Sequence, residues 1–436
     1  MFKKLGSSAT AILLAASLLA GCASSSGGES SGSEAAPQTP QSSQAPEAPA
    51  GSGEKVEVEF FNQKPEISEI IAWGIEQFQA ANPDIIVKET VVADSDQVLM
   101  SRMAANDTPD TFVIWPNNSW FGMVDAGYVM DITGADFLGN VQEAALTPFL
   151  REGKNYVVPI SYNTSGVFYN KDMYEENGLS IPTTWPEMLE NCEKLKAAGI
   201  TPFTTGAQTE SHTREVTQCF LPMMPHYDAF IADANAGTLD LSREYGPEMK
   251  RMGEILYSMV QNSQNDVIGL SYEQTFADFA TGKSAMLIDG SWSYPSITAA
   301  NPDINLGFFP IPGDTAEDTR ACAYAGDFSV SIAADTGVPD AAKAWAGFLT
   351  SEEFATYYAE HDGSISCIKS CAYIPEHMTY QAEIIASGNY KLNPDVYWTS
   401  ASSTAFGAAV QTLYMTGDLD AFTAEWADVF NTNQNE

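Results

Sequence analysis

Three stretches of this chain hint at chemistry, and each fails on spacing or context. Thr281-Gly282-Lys283-Ser284 ends like a loop that cradles phosphates, but the required leading glycine position is Ala277, on an apolar helix. His212, His226, His361 and His377 show no metal-ligand spacing, and no His-Glu-x-x-His occurs. Gly28-Glu29-Ser30-Ser31-Gly32 fits the Gly-x-Ser-x-Gly nucleophile pattern, yet it lacks the strand before and the helix after that the motif needs. With 57 Asp and Glu residues a hydrolytic carboxylate pair stays open on composition, although nothing singles one out.

What remains is a set of aromatic, amide and carboxylate residues where strands end or begin. Val56–Phe61, Ile85–Val92 and Thr111–Ile114 read as strands, rich in β-branched and aromatic residues. Between the first two, Ile67, Ile70, Ile71, Ile75 and Phe78 recur at helical spacing and Asn82-Pro83 ends the helix; Val98, Leu99 and Met103 suggest another. This alternation implies right-handed crossovers and a parallel sheet, with ligands beyond the carboxyl ends of its strands. The first strand delivers Asn62 and Gln63, the third Trp115, Asn117 and Asn118. An aromatic face packs on the C–H face of a polyol ring, while amides both donate to and accept from hydroxyls. Trp115 equally suits a core anchor, and Asn117 and Asn118 equally suit helix caps. In Gly326-Asp327-Phe328, ahead of the strand Ser329–Ala333, a carboxylate could accept two vicinal hydroxyls.

A second α/β stretch follows. Tyr156–Pro159 and Gly166–Tyr169 read as short strands, and Thr184-Trp185-Pro186-Glu187 as a capping box opening a helix with the stripe Met188, Leu189, Cys192, Leu195. A helix over Tyr272–Thr281, strands at Ala285–Ile288 and about 305–309, and a mostly helical run from Ala341 to Phe430 complete the body.

Twenty Lys and Arg against 57 acids, a formal charge of −37, leave no basic footprint for nucleic acid, and anionic lipid would not attract such a chain. A 44% apolar fraction argues against wholesale disorder. Residues 1–21, with Lys3 and Lys4 ahead of an apolar run too short to span a bilayer, read as a secretory signal. Leu19-Ala20-Gly21-Cys22 resembles the bacterial lipobox, which implies a lipid on the Cys22 sulfur. Residues 22–54, built almost wholly of Ser, Gly, Ala, Pro, Gln and Glu after that cysteine, are expected to form a disordered tether reaching on the order of 30 Å. Of the other five cysteines, Cys367 and Cys371 could pair locally or remain thiols, and Cys192 reads as core.

Three stretches together resemble the bacterial extracellular solute-binding proteins of ABC importers, in their carbohydrate-binding, maltose-binding-protein-like group. They are Tyr156-Val157-Val158-Pro159 continuing to Phe168-Tyr169-Asn170-Lys171-Asp172; Gly178-Leu179 with Pro182-x-Thr184-Trp185; and Phe276 through Met286 with Gly290-Ser291-Trp292. The resemblance implies an α/β, two-lobe periplasmic-binding-protein-like fold (type II), joined by three hinge crossings around a ligand cleft. It implies residues 56–159 and 289–332 in lobe one, and 160–288 and 333–436 in lobe two. It brings Asp289 and Trp292 to the cleft, the Trp to stack on a sugar, with hinge packing and helix capping as their alternatives. Tyr162 and Asn163 would lie at the first crossing, and Trp398 is an aromatic candidate from lobe two. The implied function is capture of a sugar or oligosaccharide for an ABC transporter permease, by a monomer held outside the membrane through Cys22, with no cofactor, metal, catalysis or nucleic acid. A non-sugar solute such as a polyamine, or a secreted sugar-active enzyme, are the alternatives. No Arg or Lys stands in the candidate loops, which favours a neutral or cationic ligand.

Overall fold

In a computed structural model, described for residues 55–433 except Asp94, the chain builds two sheets. The signal segment, Cys22 and the tether lie outside the described residues. The first sheet begins with β1 (Val56–Phe61), β2 (Ile85–Thr90) and β3 (Thr111–Val113), parallel to one another as their helical connections require. β2 and β4 (Val158–Pro159) are its edge strands. The second sheet is organised on β5 (Ser161–Asn170), with β6 (Thr201–Thr204), β7 (Ser284–Gly290), β8 (Leu306–Phe309) and β9 (Ala321–Tyr324). β10 (Ser329–Ile332) returns to the first sheet between β3 and β4, antiparallel to both. β11 (Ile365–Ser366) pairs with the start of β5, and β12 (Tyr390–Lys391) with β9.

Side-chain alternation decides which core each strand serves. Val58 and Phe60 of β1 join a core that includes Trp345 and Phe354 of the helices Pro339–Phe348 and Glu352–Asp362. On β5, Val167 faces a second core with Trp185, Phe203, Phe406 and Trp426, while Phe168 faces the first, against Phe279 and Phe308. The second sheet is thus covered on both faces, which is why β7 has no exposed position in Ser-Ala-Met-Leu-Ile-Asp-Gly.

The lobe boundaries differ from expectation after the first crossing. Only Ile160 separates β4 of the first sheet from β5 of the second, so the chain first changes sheet there. The chain does not return at position 289. β7 runs antiparallel to β5 and is followed by β8 and β9, both also bonded to β5, so 289–324 stays with the second sheet. Residues 325–328 make the second crossing, between β9 and β10. The helices over 339–362 then pack on β1 and on the helix Ser68–Ala81 of the first lobe, placing 333–362 there and not in lobe two. The third crossing follows at β11. A sheet assignment of this kind rests on hydrogen bonds between strands more than a hundred residues apart, which local patterning does not encode.

Candidate ligand-binding site

A cleft of about 660 Å³ opens between the two lobes. From the first lobe come Ile114 and Trp115, just beyond β3, with Asn117 and Trp120 from the helix start that follows. That helix, Asn118–Asp125, begins here because Asn117 Oδ1 accepts a hydrogen bond from the Trp120 backbone N–H at 3.2 Å. Asn117 is therefore both a cap and a cleft residue. Trp120 is fully buried and its indole donates to Ser331 on β10, which pins the helix to the sheet. Trp115 remains half-buried, its ring on the cleft wall.

The second lobe supplies Asn163 of β5, Tyr272 at the start of the helix Tyr272–Ala280, and Trp292 just past β7. Ser271 caps that helix by accepting from the Gln274 backbone N–H at 3.3 Å. Gly290 lets the Trp292 ring fold back over its α-carbon, because a Cβ there would lie within the indole. Asp327, on the second crossing, completes the lining between the lobes. The cleft thus has aromatic rings on both sides, with amide and carboxylate groups between them.

Five of the eleven candidate side chains are brought together on the cleft: Trp115, Asn117, Asn163, Trp292 and Asp327. The other six sit elsewhere, for identifiable reasons. Asn62 is buried and donates to the Lys64 carbonyl at 3.0 Å and to Glu89 at 2.7 Å. Gln63 donates to the Val113 carbonyl at 2.7 Å, satisfying a main-chain acceptor where β3 ends. Asn118 is exposed on the first helical turn. Tyr162 is buried in the crossing, its hydroxyl 3.4 Å from Gln142. Asp289 lies behind the cleft wall under Tyr272. Trp398 packs edge-on against Phe406 and Phe430 in the second core, away from the cleft.

Strand-end reasoning missed Glu66, Asp96, Arg214, Glu215, Gln218 and Tyr272 on the lining. Arg214, Glu215 and Gln218 belong to the helix Glu210–Gln218, a segment too polar to show an apolar stripe. Its signal is the pair Arg214 and Gln218, polar side chains four apart and so on one helix face, with Gln218 buried. Arg214, on this helix and not in any candidate loop, adds a cationic side chain to the lining, its guanidinium 3.2 Å from Glu215.

Two carboxylates behave differently. Asp289 is 1% exposed, and burial pushes its pKa up to about 7 against the bond it accepts from the Gly290 N–H at 2.7 Å. Asp327 is also buried but faces the Lys64 ammonium at 2.8 Å.

The residues from 63 to 356 match the family model for bacterial extracellular solute-binding proteins. The chain belongs to that family. A multiple sugar-binding protein of Streptococcus mutans is 32% identical over 329 residues, 72% of this chain and 76% of that one. A maltotriose-binding protein of Pyrococcus abyssi is 22% identical over 394 residues, 88% and 77% of the two chains. Among solved structures, the solute-binding protein RafE in complex with raffinose superposes with a TM-score of 0.76 at 27% identity, covering 86% of this chain and 99% of RafE. Ligand-free RafE from Streptococcus pneumoniae gives a TM-score of 0.75 at 27% identity, covering 88% and 99%. The two-lobed α/β architecture is that of the type II periplasmic sugar-binding proteins. The family is one of extracytoplasmic binding proteins. Among the described residues no helix is long and apolar enough to cross a membrane.

Proposed function

We propose that this protein captures a neutral sugar or oligosaccharide in the cleft and presents it, lobes closed, to the permease of an ABC importer. The observation that carries the reading is the placement of Trp115 on one wall and Trp292 on the other, with Asn117, Asn163 and Asp327 between them. Rings on two faces suit the C–H faces of a sugar, and amide and carboxylate groups suit its hydroxyls. Ligand that touches both lobes binds the closed form better than the open one, so its differential affinity shifts the population toward closure. The relatives named for sugar binding support the same class. No bond is made or broken in this mechanism, and the bound sugar is released unchanged.

The test is calorimetry with raffinose, maltotriose, melibiose and their component monosaccharides, paired with small-angle scattering. One sugar binding with compaction is the expected result. Compaction by an ionic metabolite with no response to any sugar would overturn it, as would release of hydrolysis products from the bound oligosaccharide. A second reading follows from Glu66, Asp96, Glu215 and Asp327 on the same lining. Glu66 and Asp327 already meet Lys64 and Glu215 meets Arg214, so a polyamine would compete with them, and spermidine belongs in the panel.

The protein is further proposed to act as a monomer held at the outer membrane face through lipid on Cys22. Replacing Cys22 by Ala should move it from the membrane fraction to the medium.

A further inference from the structure

A relay of three side chains runs along the second-lobe wall of the cleft. The Trp292 indole N–H donates to the Tyr272 hydroxyl at 2.6 Å. That hydroxyl in turn donates to Asp289 Oδ1 at 3.3 Å, and the same oxygen accepts the Gly290 backbone N–H. Donor and acceptor roles follow from the partners: an indole N–H can only donate, and Asp289 Oδ1 is the oxygen that accepts the Gly290 N–H, so the tyrosine hydroxyl, which both accepts and donates, joins the two. The tyrosine ring is itself held in place. His212 packs against it with centroids 4.2 Å apart, and Phe276 meets it edge-on at 4.5 Å. Trp292 has no comparable aromatic partner among the described residues. Its ring folds over Gly290.

We infer that Tyr272 is a positioning residue: anchored on Asp289, its hydroxyl fixes the rotation of the Trp292 indole and so presents that ring's face to the cleft. The ring therefore need not be ordered by the arriving ligand, which lowers the entropic cost of stacking. Because Tyr272 also lines the cleft, direct contact with ligand is the competing explanation, and the experiment must separate the two. Besides the buried Cys219 thiol near Asp289, the charged and titratable groups around the relay are Glu215 and His212 from the helix Glu210–Gln218. Neither makes the hydrogen bond to the indole.

The first measurement needs no ligand, so it stands apart from the sugar reading. In the full chain with 15N-labelled tryptophan, the Trp292 indole proton, assigned by its loss in Trp292→Phe, is expected to exchange slowly with solvent. In Tyr272→Phe it should exchange at least about tenfold faster, the effect of removing its acceptor. An unprotected proton in the parent, or unchanged protection in Tyr272→Phe, would overturn the relay even if sugars bind.

The second measurement is a double-mutant cycle with raffinose, or with whichever sugar of the panel the parent binds. Tyr272→Phe is expected to weaken binding roughly tenfold in the parent and less than about twofold in a Trp292→Phe background. Equal losses in both backgrounds would show that Tyr272 acts on the ligand directly, and the inference would fall. If no sugar binds but the indole proton behaves as stated, the relay holds and the sugar assignment is what fails.

Discussion

The Lys64 ammonium and the Asp327 carboxylate meet at 2.8 Å, with 2% and 3% of their side chains exposed. Lys64 extends from the end of β1, Asp327 lies on the second crossing, and Asp362 stands immediately before the third. Burial alone would lower the Lys64 pKa, but Asp327, Asp362 and Glu66 together hold it above the ordinary lysine value. One buried cation therefore serves two of the three places where the chain changes lobe. Lys64→Met would leave two buried carboxylates without compensation. The expected cost is about 3–5 kcal/mol, read from the midpoint of urea unfolding.

Trp115 and Trp398 differ in what they should affect. Trp115→Ala removes a ring from the cleft wall, and affinity for the sugar is expected to fall roughly tenfold or more. Trp398→Phe keeps an aromatic ring in the second core and touches no cleft surface, so calorimetry should return the parental affinity.

Gly166 sits in β5 where a Cβ would come 2.5 Å from the Phe309 carbonyl oxygen and 2.7 Å from the Gln381 amide. The carbonyl belongs to the paired strand β8 and cannot move aside without disturbing the ladder. Gly166→Ala should destabilise by about 1–3 kcal/mol in a denaturant titration.

Opposed buried groups govern the acid side of the stability profile. His212 and His377 are held near pKa 4 by burial, so between about 4 and 6.5 the unfolded chain binds more protons than the folded one and stability falls on acidification. Asp289, raised to about 7 from 3.8, works the other way: the folded state holds the proton more tightly, and stability from this group is gained as pH drops. Thermal melts of Asp289→Asn from pH 7 to 4 should therefore show a steeper acid loss than the parent. An identical slope would mean that Asp289 titrates normally.

Of the described cysteines, Cys192, Cys219, Cys322 and Cys367 are buried and Cys371 is partly exposed. A thiol reagent on the folded protein is expected to label Cys371 quickly and Cys192, Cys219, Cys322 and Cys367 only on unfolding. Equal slow labelling of Cys371 would indicate that it pairs with Cys367 in the secreted protein.

The elements of this fold were largely legible, because periodicity is local. β1, the helix to Ala81 and the Thr184 cap fall where residue patterns place them, with Thr184 accepting from the Glu187 N–H and Glu187 reaching back to Thr183. β5 was only half visible, since Ser161-Tyr162-Asn163-Thr164-Ser165 is polar yet wholly buried by strand pairing on both sides. The site divides the same way. Trp115, Asn117 and Trp292 follow strands, so a strand-end rule reaches them, whereas Arg214 and Tyr272 stand on helices that only the tertiary fold brings to the cleft. Asn62 and Gln63 obey the rule in position but turn inward to satisfy Glu89 and the Val113 carbonyl.

Because the chain passes between its sheets at Ile160, again at 325–328 and once more near β11, neither half of the molecule is a contiguous stretch of gene. A recombination at any single point would splice part of one lobe to a foreign remainder of the same lobe. Changing what the receptor recognises is therefore a matter of scattered substitutions along the walls, and a chimera built by exchanging one lobe would need three coordinated cuts.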